Sequence, residues 1–238
     1  MFENQIEQVK DKRVVLLQSG GLDSCFLTCL LHHYGFEIHS VFVNYGQNAY
    51  KQELKASKAI CERYNSVLHE VDLTLPWLKD STVLAGHKVG SYNVPDKLGS
   101  VEAKVYVPMR NHLLLSIAGS LAESLNIPYI ASAIDGAEDL FCKPLTGCPD
   151  KHPLFVKRIE KSLTEGSAMK HKYGNKFILI TPLLYRTKEE TIKRGIELSC
   201  DFSLSWTCYN NSDKPCGECC ACLERKNSFK SLGIEEKF

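Results

Sequence analysis

The sequence predicts an α/β protein with a doubly wound parallel sheet and a small zinc-binding C-terminal subdomain. Over residues 14–199, short apolar runs typical of buried strands alternate with longer helical segments, which favours strand-helix-strand units and a parallel sheet. Five of the eleven cysteines fall between Cys208 and Cys222, which indicates a metal-bound tail. We therefore predict an α/β domain over residues 1–199 and a four-cysteine subdomain over residues 200–238.

The first half of the chain predicts the order β-α-β-α-β. Residues 14–18 are an apolar run, as in a buried strand, and the helix over 23–34 is closed by Gly35, a residue type common just after helix ends. A second strand covers residues 37–43. The helix over 49–64 carries Leu54, Ala59 and Ile60 among polar residues, and a third strand covers residues 67–71.

A long loop separates this half from the rest of the core. Residues 74–104 are rich in proline and glycine and show little periodicity, and loops of such length usually act as lids or are mobile. Beyond the loop we predict helices over 111–125, 154–164 and 188–199 and strands over 129–133 and 177–180. Thr187 and Glu190 have the spacing of a capping box, which explains the start of the last helix without a functional role.

Charge and hydropathy favour a small-molecule substrate. Lysine and arginine total 29 against 28 acidic residues, a formal charge of +1, so nothing favours binding to nucleic acid or to an anionic membrane. No apolar run approaches the roughly 18 residues of a membrane span. The N-terminus has no apolar signal-peptide core, and we expect a cytoplasmic protein.

The segment SGGLDS, residues 19–24, follows the first predicted strand and begins the first predicted helix. Two glycines allow a tight turn with exposed backbone N–H groups, and the helix N-terminus points to the same place, so the segment predicts a phosphate cradle. The lysine of a Walker A loop is missing. Ser19 and Ser24 offer hydroxyls, and Asp23 can cap the helix or hold magnesium. The alternative is an ordinary strand-to-helix turn.

The C-terminal cysteines predict a metal site. Cys208, Cys216, Cys219 and Cys222 follow the spacing Cys-x7-Cys-x2-Cys-x2-Cys, which suits a closed, structural, four-thiolate zinc site. The alternative occupant of this site is an iron–sulfur cluster. Cys220 lies inside the last spacer and should point away from the ion. The aromatic residues expected to pack around the site are Trp206, Tyr209 and Phe229. Three other cysteines are expected to be small buried side chains, namely Cys25, Cys29 and Cys61. The basic residues expected on an exposed helical face are Arg225, Lys226 and Lys230.

The SGGLDS segment resembles the loop of the PP-loop ATP pyrophosphatases, which have an adenine nucleotide alpha hydrolase-like fold, cleave ATP between the α- and β-phosphates and adenylate a substrate oxygen. Together with VNYGQ at residues 43–47 and VPMRN at 107–111, it makes nearly the whole chain similar to the QueC family of 7-cyano-7-deazaguanine synthases. The family's C-terminal pattern is present as Trp206, Cys208, Tyr209, Cys216, Gly217, Cys219, Cys222 and Arg225.

The resemblance implies a two-stage reaction on 7-carboxy-7-deazaguanine. ATP with Mg²⁺ adenylates the carboxylate, ammonia displaces AMP to give an amide, and a second adenylation lets the amide collapse to a nitrile. Direct use of ammonia is expected because 238 residues leave no room for a glutaminase domain. A homo-oligomer, with a dimer as the expected form, follows from the resemblance alone.

The resemblance also assigns site residues. Catalysis is expected from Asp23, Ser24 and Arg110, whose planar guanidinium suits a carboxylate or phosphate clamp. Nucleotide contacts are expected from Ser19, Gly20, Gly21, Leu22, Asp23, Ser24, Val43, Tyr45, Gly46, Gln47 and Asn111. Four of these residues have a structural alternative: a salt bridge at the helix start for Arg110, a helix N-cap for Asn111, and packing within the loop for Tyr45 and Gln47.

The sequence departs from the family at two places. The usual Tyr-Pro-Asp-Cys-Arg run is replaced by CPDKH at residues 148–152, after a segment several residues longer than usual, and the glycine before Arg110 is Met109, which predicts changed backbone geometry. Three alternative functions therefore remain. They are a paralogue that stops at the amide or joins the activated carboxylate to another amine, a tRNA thiolation enzyme using Cys142 and Cys148, and a nucleotide-binding protein without turnover.

Overall fold

The computed structural model describes residues 4–7, 9–77, 84, 107–135 and 149–236. The described strands are Arg13–Leu17 (β1), Glu37–Asn44 (β2), Val67–Asp72 (β3), Tyr129–Ala131 (β4) and Ile178–Ile180 (β5). The described α-helices are Asn4–Glu7 (α1), Leu22–His33 (α2), Tyr50–Arg63 (α3), Arg110–Ser124 (α4), Pro153–Glu165 (α5), Ala168–Tyr173 (α6), Lys188–Glu197 (α7) and Cys220–Ser231 (α8). Short 3₁₀ helices cover Pro149–Lys151 and Phe202–Leu204.

The strands form one parallel sheet in the order β3-β2-β1-β4-β5. The chain extends the sheet outward from β1 through β2 and β3, then returns to the other side of β1 with β4 and β5. The order therefore reverses between β1 and β4. The predicted doubly wound sheet is confirmed, and ligands of such sheets bind beyond the carboxyl ends of the strands at this reversal.

Alternate residues of β1 point to opposite faces of the sheet. Val14 and Leu16 pack with Phe26 of α2 on one face, in a buried cluster that α7 and α8 complete. Val15 packs on the other face with Leu115 of α4 and with side chains of α5. Fully burying each such side chain stabilises the fold by roughly 1.5–3 kcal/mol. This packing holds helices on both faces of the sheet.

All the predicted strands and helices are present, with small shifts at their ends. Gly35 has φ 74° just after α2, as expected of a residue that follows a helix end. The short helices α1 and α6 and the cysteine-containing helix α8 were not predicted as elements. Of the predicted loop over 74–104, Leu84 forms an antiparallel bridge with Gln47, and most other residues lie outside the described ranges. No described helix is both long and apolar enough to cross a membrane.

The C-terminal segment packs against the main core. Phe229 of α8 belongs to the same buried cluster as Phe26, in edge contact with Phe202, and therefore not to the packing around the four cysteines as predicted. The predicted burial of three cysteines is confirmed, for Cys25, Cys29 and Cys61. The division of the chain at residue 199 stays a prediction.

Arg225 is buried, and its predicted place on an exposed helical face is wrong. Its side chain is 3% exposed and pairs with Glu236 at 2.6 Å. The guanidinium also donates to the carbonyl oxygen of Phe202 at 3.0 Å and to the hydroxyl of Thr207 at 2.8 Å. The planar, multidentate group thus ties α8 to the segment that leads to the cysteines. Lys226 and Lys230 are exposed, as predicted.

Replacing Arg225 with alanine is expected to reduce the free energy of unfolding by about 3–5 kcal/mol, because Glu236 would be left buried without its counter-ion. Lys226→Ala on the exposed side of α8 is the matched control and should change it by no more than about 0.5 kcal/mol. Urea unfolding of both variants measures the difference. Equal stabilities would contradict the role given to Arg225.

Candidate active site

The loop after β1 is held by buried polar contacts. The Gln18 amide donates to the Thr28 hydroxyl at 2.9 Å and accepts from the Gly20 N–H at 2.9 Å. Gly20 has φ 74°, and a methyl group there would lie 2.3 Å from the carbonyl oxygen of Glu53. Only glycine combines this conformation with this close approach, so the loop is fixed against α2 and α3.

The N-terminus of α2 opens at this loop without a side-chain cap. Its first helical hydrogen bond runs from the Cys25 N–H to the Gly21 carbonyl at 2.9 Å, and Asp23 therefore does not cap the helix. The N–H groups of Leu22, Asp23 and Ser24 precede that bond. They can bind anionic oxygens, with the helix dipole favouring negative charge.

The loop serines bind each other and the local backbone. Ser19 Oγ donates to Ser24 Oγ at 3.1 Å and accepts from the Gly21 N–H at 3.3 Å. Ser24 Oγ donates to the Gly21 carbonyl at 3.0 Å. Through these hydrogen bonds, both hydroxyls lie beside the start of α2. The predicted pyrophosphate contacts of Ser19, Gly20, Gly21, Leu22 and Ser24 stay predictions.

A charge network lies beside the loop, at the carboxyl edge of the sheet. Lys188 at the start of α7 contacts Asp23 at 2.5 Å and Asp135, beyond β4, at 3.3 Å. Lys151 contacts Asp135 at 2.7 Å. Asp23 Oδ1 is buried and has no hydrogen-bond partner among the described residues, which is a state expected of a carboxylate oxygen that binds a cation.

Lys188 was missed as a site residue. Both bonds of the predicted capping box between Thr187 and Glu190 are present, so the sequence pattern explained the segment completely. The one signal that could have identified Lys188 is its position shortly after the last strand, at the edge where parallel strands end.

The charge of this network is maintained by its members. Burial alone would raise the pKa of Asp135, but the ammonium groups of Lys151 and Lys188 together lower it to about 2. Burial opposes the charge on Lys188, yet the carboxylates of Asp23 and Asp135 raise its pKa above the usual range. Burial raises the pKa of Asp23, although the ammonium group of Lys188 favours its charged form. Asp135 and Lys188 therefore keep their charges at neutral pH.

Stability should decline in acid through Asp135. Because folding lowers its pKa from 3.8 to about 2, Asp135 stabilises the fold above pH 4, and that contribution is lost as the pH falls from 4 to 2. Asp135→Asn should flatten the acid decline by about 1–2 kcal/mol. Urea unfolding at a series of pH values tests this, with exposed Asp213→Asn as control. An unchanged acid slope in Asp135→Asn would exclude this contribution.

The turn after β2 forms a second wall. Gln47 accepts from the Tyr45 N–H at 2.9 Å and donates to the Val43 carbonyl at 3.2 Å and to Glu53 Oε2 at 3.0 Å. Gly46 has φ 90°. Gln47 is thus used within the turn, as its structural alternative predicts. Contact of Val43, Tyr45, Gly46 and Gln47 with the nucleotide stays a prediction.

Glu53 was not predicted as a site residue. It lies on α3, with its carbonyl against Gly20 and its carboxylate bonded to Gln47. Burial raises the pKa of Glu53 to about 7, although the amide of Gln47 and the guanidinium of Arg110 favour its charged form. The sequence offered only the spacing of Glu53 from Gln47 as a signal. Many residues in the first turn of a helix have such a spacing from the preceding turn.

Arg110 and its neighbours begin α4. The Arg110 guanidinium lies near the Tyr45 phenol, which raises the pKa of Arg110 above its usual range and places the start of α4 beside the turn after β2. Met109 has φ 53°, a left-handed conformation that glycine adopts without strain. The expected change of backbone geometry at Met109 is therefore not supported, because methionine here adopts a glycine-like conformation.

The run over 148–152 is described from Pro149 onward. Asp150 accepts from the Asn111 N–H at 2.9 Å, and the Asn111 amide donates to the Asp150 carbonyl at 3.1 Å. The N-cap of α4 is Met109, so Asn111 anchors the run and is not a simple N-cap. His152 caps α5 through the Leu154 N–H at 3.1 Å. Cys142 and Cys148 lie outside the described residues.

The four predicted cysteines converge. The sulfur atoms of Cys208, Cys216, Cys219 and Cys222 all lie within 4.8 Å of one another, and those of Cys216 and Cys222 are 4.0 Å apart. Tetrahedral zinc with bonds near 2.3 Å implies sulfur separations of about 3.8 Å, so this set could hold such an ion. Backbone N–H groups of residues 210, 216 and 219 point at the sulfurs, as thiolates require. Cys220 is not part of the set.

The cysteine site and the loop after β1 are connected directly. The Trp206 N–H donates to the Gly20 carbonyl at 2.8 Å, and the Trp206 indole donates to the Cys208 carbonyl at 2.8 Å. Tyr45 and Tyr209 pack with the cysteines, so the predicted packing of Trp206 and Tyr209 is confirmed. Tyr45 thus packs with the cysteine set and also lies near Arg110.

Comparison with known proteins found a family match over most of the chain. The family model described as "Queuosine biosynthesis protein QueC" matches residues 13–233. A 7-cyano-7-deazaguanine synthase of Chlorobaculum parvum is 32% identical over 230 residues, covering 94% of each chain. One of Methanobrevibacter smithii is 33% identical over 233 residues, covering 94% of this chain and 96% of that protein.

Similarity to solved structures concerns the fold alone. A 4-thiouridine synthetase, solved as a complex with RNA and bound ATP, has a TM-score of 0.54 and 17% identity. The alignment covers 93% of this chain and 50% of that one. The common feature is the fold, a parallel sheet with helices on both faces.

Proposed function

This chain belongs to the QueC family of queuosine biosynthesis proteins, and from that premise we propose that it converts 7-carboxy-7-deazaguanine and ammonia to 7-cyano-7-deazaguanine. A carboxylate oxygen attacks the α-phosphorus of ATP and pyrophosphate leaves. Ammonia then displaces AMP to form the amide. A second adenylation activates the amide oxygen, and loss of AMP and a proton gives the nitrile.

One observation carries the proposal: the uncapped N-terminus of α2 lies beside the buried pair of Lys188 and Asp23, where the strand order reverses. Three N–H groups and an ammonium group can balance the charge that develops on the departing pyrophosphate. Mg²⁺, held by Asp23 through its unpartnered Oδ1, would neutralise further phosphate charge.

The substrate carboxylate is assigned to Arg110. Its planar guanidinium suits a carboxylate and lies near Tyr45, in the turn after β2. Ser19, Gly20, Gly21, Leu22 and Ser24 are assigned to the phosphates, and Val43, Tyr45, Gly46, Gln47 and Asn111 to the rest of the nucleotide pocket. A zinc ion held by four thiolates would supply a structural cross-link. A homodimer and a cytoplasmic location stay predictions.

The test is mass spectrometry of a reaction that contains the protein, ATP, Mg²⁺, ammonium and 7-carboxy-7-deazaguanine, with AMP and pyrophosphate measured in parallel. We expect the nitrile. A persistent amide would instead identify an amide-forming paralogue, and absence of AMP release would overturn the assignment as a synthase.

A matched pair of variants tests the phosphate site. Lys188→Gln should lower pyrophosphate release about 10²- to 10³-fold, whereas Lys193→Gln on the exposed side of α7 should leave it within about twofold. Equal rates in the two variants would remove Lys188 from the site.

A further inference from the structure

Glu53 is the carboxylate of the site that neither the phosphate loop nor the charge network uses. Its backbone carbonyl lies against Gly20, and its side chain points to the turn after β2, where Oε2 accepts from the Gln47 amide at 3.0 Å. The described residues give its Oε1 no hydrogen-bond partner. One oxygen is thus held in place while the other is available to a ligand.

The orientation of Gln47 is fixed by the backbone. Its Oε1 accepts from the Tyr45 N–H at 2.9 Å, and its Nε2 donates to the Val43 carbonyl at 3.2 Å. Nε2 must therefore be the donor toward Glu53, which fixes the carboxylate without neutralising it. A carboxylate held this way keeps one geometry through a reaction cycle.

The surroundings place Glu53 between the two ends of the reacting substrate. The loop after β1 lies on one side, through Gly20, and the titratable groups near Glu53 on the other side are the neutral Tyr45 phenol and the charged Arg110 guanidinium. The bond between the activated carbonyl carbon and AMP must lie between a phosphate site and a carboxylate clamp. Glu53 is next to that position.

The chemistry requires a base at this position. When ammonia attacks the acyl-adenylate, the new nitrogen carries a positive charge and must lose a proton before AMP leaves, or the addition reverses. A carboxylate that titrates near neutral pH is suited to accept this proton and return it to solvent. The ammonium group of Lys188 cannot accept this proton, because it is already protonated.

Resting on the proposed function, we propose that Glu53 is the general base of the amide-forming step. The ammonia nitrogen forms a bond to the carbonyl carbon, and one N–H proton passes to Glu53 Oε1. The C–O bond to AMP then breaks with its electron pair on AMP, and the protonated carboxyl releases the proton to water.

The test separates adenylation from amide formation. Exchange of labelled pyrophosphate into ATP, measured with 7-carboxy-7-deazaguanine and without ammonia, reports adenylation alone. We expect Glu53→Gln to keep this exchange within about threefold and to lose amide and nitrile formation by about 10²- to 10⁴-fold. Glutamine can still accept from Gln47, so the turn is preserved. Glu62→Gln, exposed on α3, is the control and should match the wild type in both assays.

Two further measurements identify a proton acceptor. At constant free ammonia, the wild-type rate of amide formation should rise with pH around 7, where Glu53 ionises, and Glu53→Gln should lack this rise. Hydroxylamine gives a more acidic adduct that loses its proton to water, so it should restore acyl transfer, as hydroxamate, to within about tenfold of the wild type.

Three outcomes would overturn the assignment to Glu53. They are equal losses of exchange and amide formation, an unchanged pH profile, and no recovery with hydroxylamine. Failure of the proposed function has a different signature, because the wild type itself would then show no exchange that depends on 7-carboxy-7-deazaguanine.

Discussion

Gly20→Ala is expected to lower ATP-dependent pyrophosphate release by at least about 100-fold. The added methyl group would lie 2.3 Å from the carbonyl oxygen of Glu53, and backbone atoms cannot move aside as a flexible side chain can. The loop or α3 would have to shift by about 1 Å, and a displacement of that size at reacting groups costs about 10²-fold in rate.

Gly35→Ala is the matched control for this prediction. Gly35 has the same φ of 74°, but nothing lies within 4 Å of an added methyl group. Both variants should therefore lose the roughly 1–2 kcal/mol that a left-handed alanine costs, while only Gly20→Ala should lose activity. Thermal unfolding and pyrophosphate release, measured on both proteins, separate strain from steric conflict. Equal activity would show that the close approach at Gly20 has no catalytic consequence.

Cys222→Ser is expected to remove the metal and most of the activity. A structural metal site contributes its binding free energy to folding, so losing one ligand should destabilise the protein by at least about 3 kcal/mol, or roughly 10 °C. The activity should fall too, because Trp206 connects the cysteine segment to Gly20. After dialysis against a chelator, the variant should retain less than about a tenth of an equivalent of zinc.

Cys220→Ser is the control, because Cys220 is adjacent in sequence and outside the ligand set. It should keep one equivalent of metal, the wild-type melting temperature and wild-type activity. Metal analysis that found iron and sulfide in place of zinc would revise the identity of the ion. Equal metal contents in the two serine variants would contradict the four-cysteine assignment.

The parallel sheet could be predicted because its strands are short apolar runs between amphipathic helices. The helix α6 escaped prediction because only six residues form it, and it is held by packing of Met169 on the core. Arg225 was misplaced on the surface because an isolated arginine in a charged helix is usually exposed. Its burial depends on Glu236 and on carbonyl groups that only the folded chain brings together.

The site was predictable where its residues are close in sequence. The SGGLDS segment and the cysteine set are compact patterns with few structural explanations. Lys188 is 165 residues from Asp23, and its own neighbourhood is fully explained by a helix cap. Glu53 depends on a turn that Gln47 shapes and on a glycine after another strand. Such residues become recognisable only when the sheet places separate strand ends side by side.

The pairing of Lys188 with two carboxylates would make the proposed binding of phosphate a competition. A phosphate that binds Lys188 must displace at least part of its contact with Asp23 and Asp135, so the net affinity is the difference between two sets of ion pairs. The same carboxylates are available to take the lysine back once pyrophosphate has formed. In the proposed reaction, a site built this way would limit how tightly its product is held, so that pyrophosphate could leave between the two adenylations.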